Sequence, residues 1–406
     1  MNVEDLVRDS LRDLAGEQPP PGPGFADRVL AVRRRRRART WASVAAATAA
    51  VVAVSVAVPQ LVSGGGDVRP SGTTGRQDGS LPQRTISVGN TVLAAYYTTD
   101  TRTRVKDGWI AQRTYRLLDP RTGRYKKDTR WSYVAVAPGA KTAAVLERSL
   151  PAHRIGLLDL TTGEIRQWIP LDVGVGGLSF SHDGTKLVAT TYDEHPDVRV
   201  MVRNGDSGVD PALVEGDTSR TGYLVWDLVN GGGAWWQVKA GRDVPSRADF
   251  AFTDDDKALY TQVVGGKDGM EEFYDLSGKK IAAPAKEKHL RWDVPARISP
   301  NGELAALGLT KEVNMGKKLP GKSYSSIQNP LTGKEITKVR GAQLLAWVDD
   351  HRLIAWERTT PLKNAGYKDH LVLVTIGSDK VVPLSGERDP DDGPQRLAWE
   401  PVFVRR

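Results

Sequence analysis

Residues 178–189 read LSFSHDGTKLVA, an apolar run, a turn containing Asp183 and Gly184, and a second apolar run. Asp-Gly pairs tolerate the positive φ angles of tight hairpin turns, so the stretch predicts a β-hairpin. The same order of apolar run, Asp, Asn, Pro or Gly turn and apolar run returns at 134–146, 250–260, 296–307 and 344–356. The sequence therefore predicts a series of repeated hairpins.

A second motif alternates with the hairpins. It is a strand that ends in Asp or Asn with Gly four residues later, at 117–123, 157–163, 225–231 and 327–333, with a shortened copy at 273–278. The acid opens the turn and Gly supplies its left-handed position. Asp119 and Asp159 are 40 residues apart, and longer later steps imply loop insertions, the largest at about 193–222. Units of this period with four strands each are typical of propeller blades.

Through these Ser-x-Asp-Gly hairpins and Asp-x-x-Thr-Gly turns, residues 84–406 resemble the TolB-like and WD-repeat-like β-propellers. The resemblance implies an all-β propeller of about six four-stranded blades, with seven as the alternative count. The last strand, 397–404, is expected to complete a blade with amino-terminal strand material from about 86–97, which removes open sheet edges. Propellers carry many activities, so the resemblance implies no particular one.

An apolar run without charge, residues 41–62, predicts one transmembrane helix, because its 22 residues reach about 33 Å. Residues 21–40 carry seven Arg and residues 63–82 carry two, which places the amino terminus in the cytoplasm. The residues that set this topology are Arg33, Arg34, Arg35, Arg36, Arg37, Arg39 and Trp41. Residues 63–83, rich in Gly, Ser, Thr, Asp and Pro, are expected to form a flexible linker to an extracellular domain, 84–406, at the cell membrane.

Two other interpretations of the amino terminus are disfavoured. A cleaved signal peptide is disfavoured by a charged region of about 40 residues and by an apolar segment longer than the usual 7–15. A nucleic-acid-binding patch is disfavoured because the apolar run follows the arginines directly, and because three of the eight net positive charges fall in residues 1–40 while the rest are dispersed. We therefore expect a membrane partner and no nucleic acid.

The cytoplasmic tail, residues 1–40, contains one short amphipathic pattern. Its apolar positions recur at three-to-four spacing, and they are Val3, Leu6, Val7, Leu11 and Leu14. A helix this short is marginal in water, so it is expected to fold on a partner or to lie on the inner leaflet. The tail with 24–30 (GFADRVL), the Arg cluster and the Ala/Val-rich span resembles single-pass membrane proteins of high-GC actinobacteria. Some of these accompany extracytoplasmic-function sigma factors, which implies a signalling role, although this tail lacks the His and Cys of zinc-binding anti-sigma domains.

No compact catalytic motif is present. The chain has no Gly-x-Ser-x-Gly elbow, no His-Glu-x-x-His and no phosphate-binding glycine loop, and its six His stand singly in a chain without Cys. The acidic runs 254–256 and 389–393 are expected to be solvated turns and not cation sites. We therefore expect no catalytic, cofactor-binding or metal-binding residues, and a module that binds or senses. A propeller enzyme and a passive envelope scaffold are the alternatives.

The chain contains eleven Trp, and two groups of them have different expected environments. Trp347, Trp356 and Trp399 lie inside apolar runs and are expected in the core. Trp235 and Trp236 follow the glycine triplet 231–233, and adjacent strand residues face opposite ways, so one of the pair is expected to be exposed. The pair is the candidate contact for an envelope protein or a small ligand.

Overall fold

A computed structural model describes residues 81–105, 108–202, 212–238, 240–241, 244–263, 270–313, 321–361, 367–388 and 395–406, which all belong to one compact unit. These residues form strands and no helix. The strands are β1 (Ser87–Val88), β2 (Thr91–Val105), β3 (Gly108–Asp119), β4 (Arg124–Asp128), β5 (Trp131–Val136), β6 (Thr142–Glu147), β7 (Ala152–Asp159), β8 (Ile165–Phe180), β9 (Lys186–Tyr192), β10 (Val198–Val202), β11 (Ala212–Glu215), β12 (Arg220–Asp227), β13 (Gly232–Gln237), β14 (Ala251–Phe252), β15 (Ala258–Val263), β16 (Met270–Asp275), β17 (Lys280–Ile281), β18 (Ala305–Val313), β19 (Lys322–Gln328), β20 (Glu335–Arg340), β21 (Gln343–Trp347), β22 (Arg352–Pro361), β23 (Tyr367–Thr375), β24 (Val381–Arg388) and β25 (Gln395–Arg405).

Antiparallel pairing groups these strands into six consecutive units. Unit A contains β25, β2, β3 and β4; unit B contains β5, β6, β7 and the first half of β8; unit C contains the second half of β8, then β9, β12 and β13; unit D contains β14–β17; unit E contains β18–β20 with a bridge from Ile298 to Ala305; and unit F contains β21–β24. The single strand β8 pairs with β7 through its first half and with β9 through its second half. The grouping is propeller-like.

The units close on one another through their apolar faces. Separate buried clusters join unit A to B, B to C, C to D, E to F, and F back to A. The cluster that joins F to A contains Trp356 and Trp399, whose rings meet edge to face with centroids 5.0 Å apart. Trp347, Trp356 and Trp399 are all buried, as predicted. Unit E also has a small apolar cluster of its own, formed by Leu290, Ile298 and Ala305.

The predicted turns are confirmed. All five glycines of the Asp/Asn-x-x-x-Gly motif have positive φ, and they are Gly123, Gly163, Gly231, Gly278 and Gly333. Hairpin turns of neighbouring units also contact each other: the Asp256 carboxylate accepts a hydrogen bond from the His182 amide, and Asp350 accepts one from the Asn301 amide. These contacts gather the hairpin turns on one side of the ring, which we call the turn side.

The chain ends complete unit A together. β25 pairs antiparallel with β2, from Thr91 opposite Arg405 to Asp100 opposite Gln395. The predicted partnership of the last strand with amino-terminal strand material is therefore confirmed. Because the two ends of the domain share one sheet, unit A cannot form until the whole domain has been made.

The expected loop at 193–222 was an incomplete interpretation, because the insertion contains two strands. β10 pairs with β11 and also with β3 of unit A, with Val198 opposite Ile110 and Arg199 opposite Trp109. We call residues 193–202 and 212–219 the strap, since they link unit C to unit A. The alternating sequence VRVMV of β10 suits a strand.

Candidate functional site

Three arginines each stack on an aromatic ring near a junction between units. Arg220 covers Phe250, Arg297 covers Tyr260, and Arg388 covers Trp356, with guanidinium carbons 4.6, 3.7 and 3.8 Å from the ring centroids. A guanidinium against an aromatic face is stabilised by the ring quadrupole, and more strongly when water is excluded. These arginines thus stabilise the packing inside the domain.

The strap is held by a buried ion cluster. Asp197 accepts paired hydrogen bonds from Arg113 of β3, at 2.9 and 3.0 Å, and from Arg247 before β14, at 2.7 Å each. Arg247 also donates to Asp249 and to the Gly176 carbonyl, both at 2.8 Å. The strap is therefore linked to units A and D through the Asp197 carboxylate, and to unit C through Arg247.

Electrostatics keep this cluster ionised. Burial opposes ionisation of Asp197, but the two guanidiniums together hold the pKa of its carboxyl well below its usual range. Burial likewise raises the pKa of Tyr192, whose hydroxyl donates to Asp249 at 2.8 Å. Burial lowers the pKa of His195, a residue of the strap, and so favours its neutral form. The charged groups of this cluster bind one another, so their role is to hold the strap in place.

The D/E junction carries a second ion cluster. Arg297, half-buried and at φ +43°, forms ion pairs with both Glu271 and Glu287. Burial raises the pKa of each of these carboxyls in spite of the guanidinium. Two acids therefore share one cation at this junction.

The outer strand of unit C differs from the outer strands of the other units. β13 reads GGAWWQ, without charge or Pro, and its register with β12 has no bulge. The other outer strands carry charges, Pro or both: β4 reads RYKKD, the outer half of β8 contains Arg166 and Pro170, β17 is the dipeptide KI, β20 reads EITKVR and β24 reads VVPLSGER. Charges, Pro and bulges are the usual protection against pairing with another chain. Among the described strands, β13 is the outer strand without these features.

The structure separates the predicted tryptophan pair. Trp235 is 39% exposed, and its indole N–H donates to the Thr191 hydroxyl at 3.1 Å. Trp236 faces the other way and packs against the cluster between units C and D. The exposed indole is thus held in one orientation by Thr191 of β9. Thr191 is followed by Tyr192, after which the strap begins.

The backbone of β13 has donors that point away from its sheet. The Val238 amide donates to the Thr221 carbonyl. Because hydrogen-bonded and non-hydrogen-bonded pairs alternate in an antiparallel ladder, the amides of Gly233, Trp235 and Gln237 point to the open edge. The candidate site is this edge with the fixed Trp235 side chain beside it.

The tail positions, the Arg cluster, Trp41, the expected span and residues 389–393 lie outside the described residues. Within the described ranges, no helix has the length and apolarity to cross a membrane. Residues 254–256 form a turn, and the part of the chain that the structure describes contains no group of three or more possible metal ligands.

Sequence reasoning missed the two ion clusters. In the strap cluster, Asp197 lies 84 residues from Arg113 and 50 residues from Arg247, so no local pattern connects them. One signal was present in the run 174–177 (GVGG) on the inner half of β8. Glycines inside a strand mark a close approach of other groups. A methyl group on Gly177 would overlap the Asp249 carboxylate, and one on Gly176 would meet Tyr192 and Pro196.

Comparison with known proteins found structural likeness only. No family model and no curated protein sequence matches the chain. Similar solved structures include TolB from Acinetobacter baumannii (17% identity, 71% of this chain and 65% of TolB, TM-score 0.34) and the Cps50 (Swd1) β-propeller domain of Myceliophthora thermophila (12%, 74% and 100%, 0.31). An oligogalacturonate lyase in complex with manganese is also similar (12%, 72% and 81%, 0.36). The chain spans about two thirds of the length of TolB, and the group contains an enzyme beside proteins not named as enzymes.

Proposed function

We propose that the protein is a membrane-anchored, non-catalytic binding module whose β13 edge receives an extended segment of a partner protein outside the cell. The observation that carries the proposal is the unprotected edge of β13 beside the fixed, exposed indole of Trp235. An extended peptide adds to such an edge through main-chain hydrogen bonds, and side chains beside the edge give specificity. Trp is also the residue type most enriched among those that dominate binding energy.

The substitution Gln237→Pro tests the main-chain part of this proposal. It removes an amide that points to the open edge and leaves the β12–β13 ladder intact, so partner binding is expected to fall while folding is kept. Gln237→Ala retains the amide and is the matched control. A photo-crosslinking residue at the exposed Ala234 position of the full-length protein, expressed in its native membrane, gives the readout by mass spectrometry of the crosslinked peptide.

Support would be a crosslinked partner segment whose yield falls at least tenfold with Gln237→Pro and with Trp235→Lys, but not with Gln237→Ala. Trp235→Lys adds the kind of charge that protects other edges. Equal crosslinking in all three variants would contradict strand addition at β13.

For the tail, we propose that binding outside is reported to a cytoplasmic regulator such as a sigma factor. The helical spacing of Val3, Leu6 and Leu11 supports this proposal. Recovery of the regulator with the full-length protein, and its loss when residues 2–16 are deleted, is the expected result of a pull-down from detergent-solubilised membranes. Recovery of the same envelope partners alone by both proteins would contradict signalling and leave a passive anchor.

A further inference from the structure

We infer that the outer edge of unit A, between Arg84 and Arg130, is a docking surface for anionic lipid headgroups of the membrane that holds the anchor. The inference adds a surface to the proposed function and rests on its membrane anchor. Six cations define this basic edge: Arg84, Arg121, Arg124, Lys126, Lys127 and Arg130. All six are exposed, and they lie on β4 and on the chain segments beside it.

Half of these cations are already paired. Lys126 binds the buried Asp119 at 2.8 Å and lowers the pKa of that carboxyl to about 2, with Arg121 at 3.8 Å from the same group. Arg130 pairs with Asp128. Their side chains are nevertheless 52–66% exposed, so their outer faces still meet solvent.

The other three cations lack a carboxylate partner among the described residues. Arg84 and Arg124 face each other in an antiparallel bridge, and Lys127 lies three residues beyond Arg124. Like charges directly opposite one another on neighbouring strands destabilise the pairing. An external anion would remove that repulsion, which is why the arrangement indicates a phosphate-bearing surface.

The position of the edge in the chain selects lipid as the source of the anion. The apolar run ends at residue 62, and the described domain starts at residue 81, beside Arg84. The composition of the 18 residues between them predicts a root-mean-square reach of about 23 Å. The tether therefore keeps the basic edge at a high effective concentration near the headgroups, where a weak electrostatic contact becomes populated.

Site-specific labelling of the full-length protein in nanodiscs tests this docking. The chain contains no Cys, so Thr129→Cys places one fluorophore on the basic edge, and Lys257→Cys places one on unit D, three units away around the ring. The discs contain a headgroup-linked quencher and either phosphatidylcholine alone or about 30% phosphatidylglycerol, since cationic segments bind anionic lipid. We expect quenching of the label at position 129 only with phosphatidylglycerol.

The triple variant Arg84→Gln, Arg124→Gln, Lys127→Gln should lower the contact equilibrium by about fivefold per removed cation. The matched control, Lys279→Gln, Lys286→Gln, Lys288→Gln, removes three exposed cations from the unit D end of the domain and should leave quenching unchanged. Salt at about 0.5 M should also abolish the contact, because it shortens the Debye length to about 4 Å.

Two results would overturn the inference in different ways. A chain that stays in the disc, but whose label at position 129 is quenched equally with and without phosphatidylglycerol or not at all, contradicts the docking surface and leaves the anchor standing. A chain that alkaline carbonate releases from membranes contradicts the anchor and the docking surface together.

Discussion

Individual arginines connect parts of this domain that are far apart in sequence. Arg113 and Arg247 converge on Asp197, and Arg297 converges on Glu271 and Glu287. The sequence did not show which arginines and carboxylates meet, because an arginine in a strand looks the same whether it faces water or a neighbouring unit. By contrast, the burial of Trp356 and Trp399 could be predicted from their apolar neighbours, since an aromatic residue inside an apolar run is rarely left in solvent.

Arg297→Gln should cost about 3–5 kcal/mol of unfolding free energy at pH 7, because it leaves two buried carboxylates without their cation. The folded-state pKa of each glutamate is already raised, so each contributes stability that is complete below its unfolded pKa of about 4.3 and is lost as the pH rises through the folded value. Removal of the guanidinium raises both values further, so the deficit should shrink as the pH falls from 7 towards about 5. Urea denaturation at both pH values measures it.

Arg291→Gln is the control for this prediction. Its ion pair with Asp293 lies at the surface, so the unfolding free energy should change by less than about 1 kcal/mol. A deficit for Arg297→Gln that is equal at both pH values would contradict the role given to the two carboxylates.

The strands and turns were the most predictable level of organisation. The turns at Gly123, Gly163 and Gly231 were identified because their chemistry is local: one carboxylate and one left-handed glycine fix the geometry. The strap was less predictable, because β10 pairs with β3, which lies about 90 residues earlier in the chain. The sequence indicated the open edge of β13 only in part. It predicted that one tryptophan of the pair is exposed, but it did not predict the hydrogen bond from the indole to Thr191.

Gly177→Ala should destabilise the domain by about 1–3 kcal/mol, because the added methyl group overlaps the Asp249 carboxylate that Arg247 holds in place. Gly232→Ala, where no atom lies within 4 Å of the added group, should leave stability unchanged or raise it by about 0.4–1 kcal/mol. Thermal unfolding of the two variants compares them directly. Equal stability of both would show that the inner strand of unit C tolerates a side chain and would contradict the close packing described here.

At the scale of the whole domain, closure of the ring depends on the carboxyl-terminal strand. β25 covers β2 and brings Trp399 into the cluster between units F and A. The strap adds a second link, from unit C to unit A, which bypasses unit B. Stability is therefore expected to be shared around the ring and to fail as a whole when the closing strand is missing.

Deletion of residues 395–406 should abolish cooperative thermal unfolding of the full-length protein in detergent, because it exposes the edge of β2 and removes Trp399 from the core. Deletion of Arg406 alone removes one backbone hydrogen bond, to the Asn90 carbonyl, and should have little effect. Retention of a sharp transition by the larger deletion would mean that the first units fold without closure.

Sequence alone was enough to establish the all-β class, the positions of most turns and the partnership of the two ends of unit A. Hairpin turns and strand alternation depend on residues within about ten positions of each other, so a single chain displays them. The three-dimensional structure was needed to show which arginines meet which carboxylates, that the strap reaches unit A, and that Trp235 lies exposed beside an unprotected edge. These features depend on which strands become neighbours in space, and the spacing of residues along the chain does not predict which strands those are.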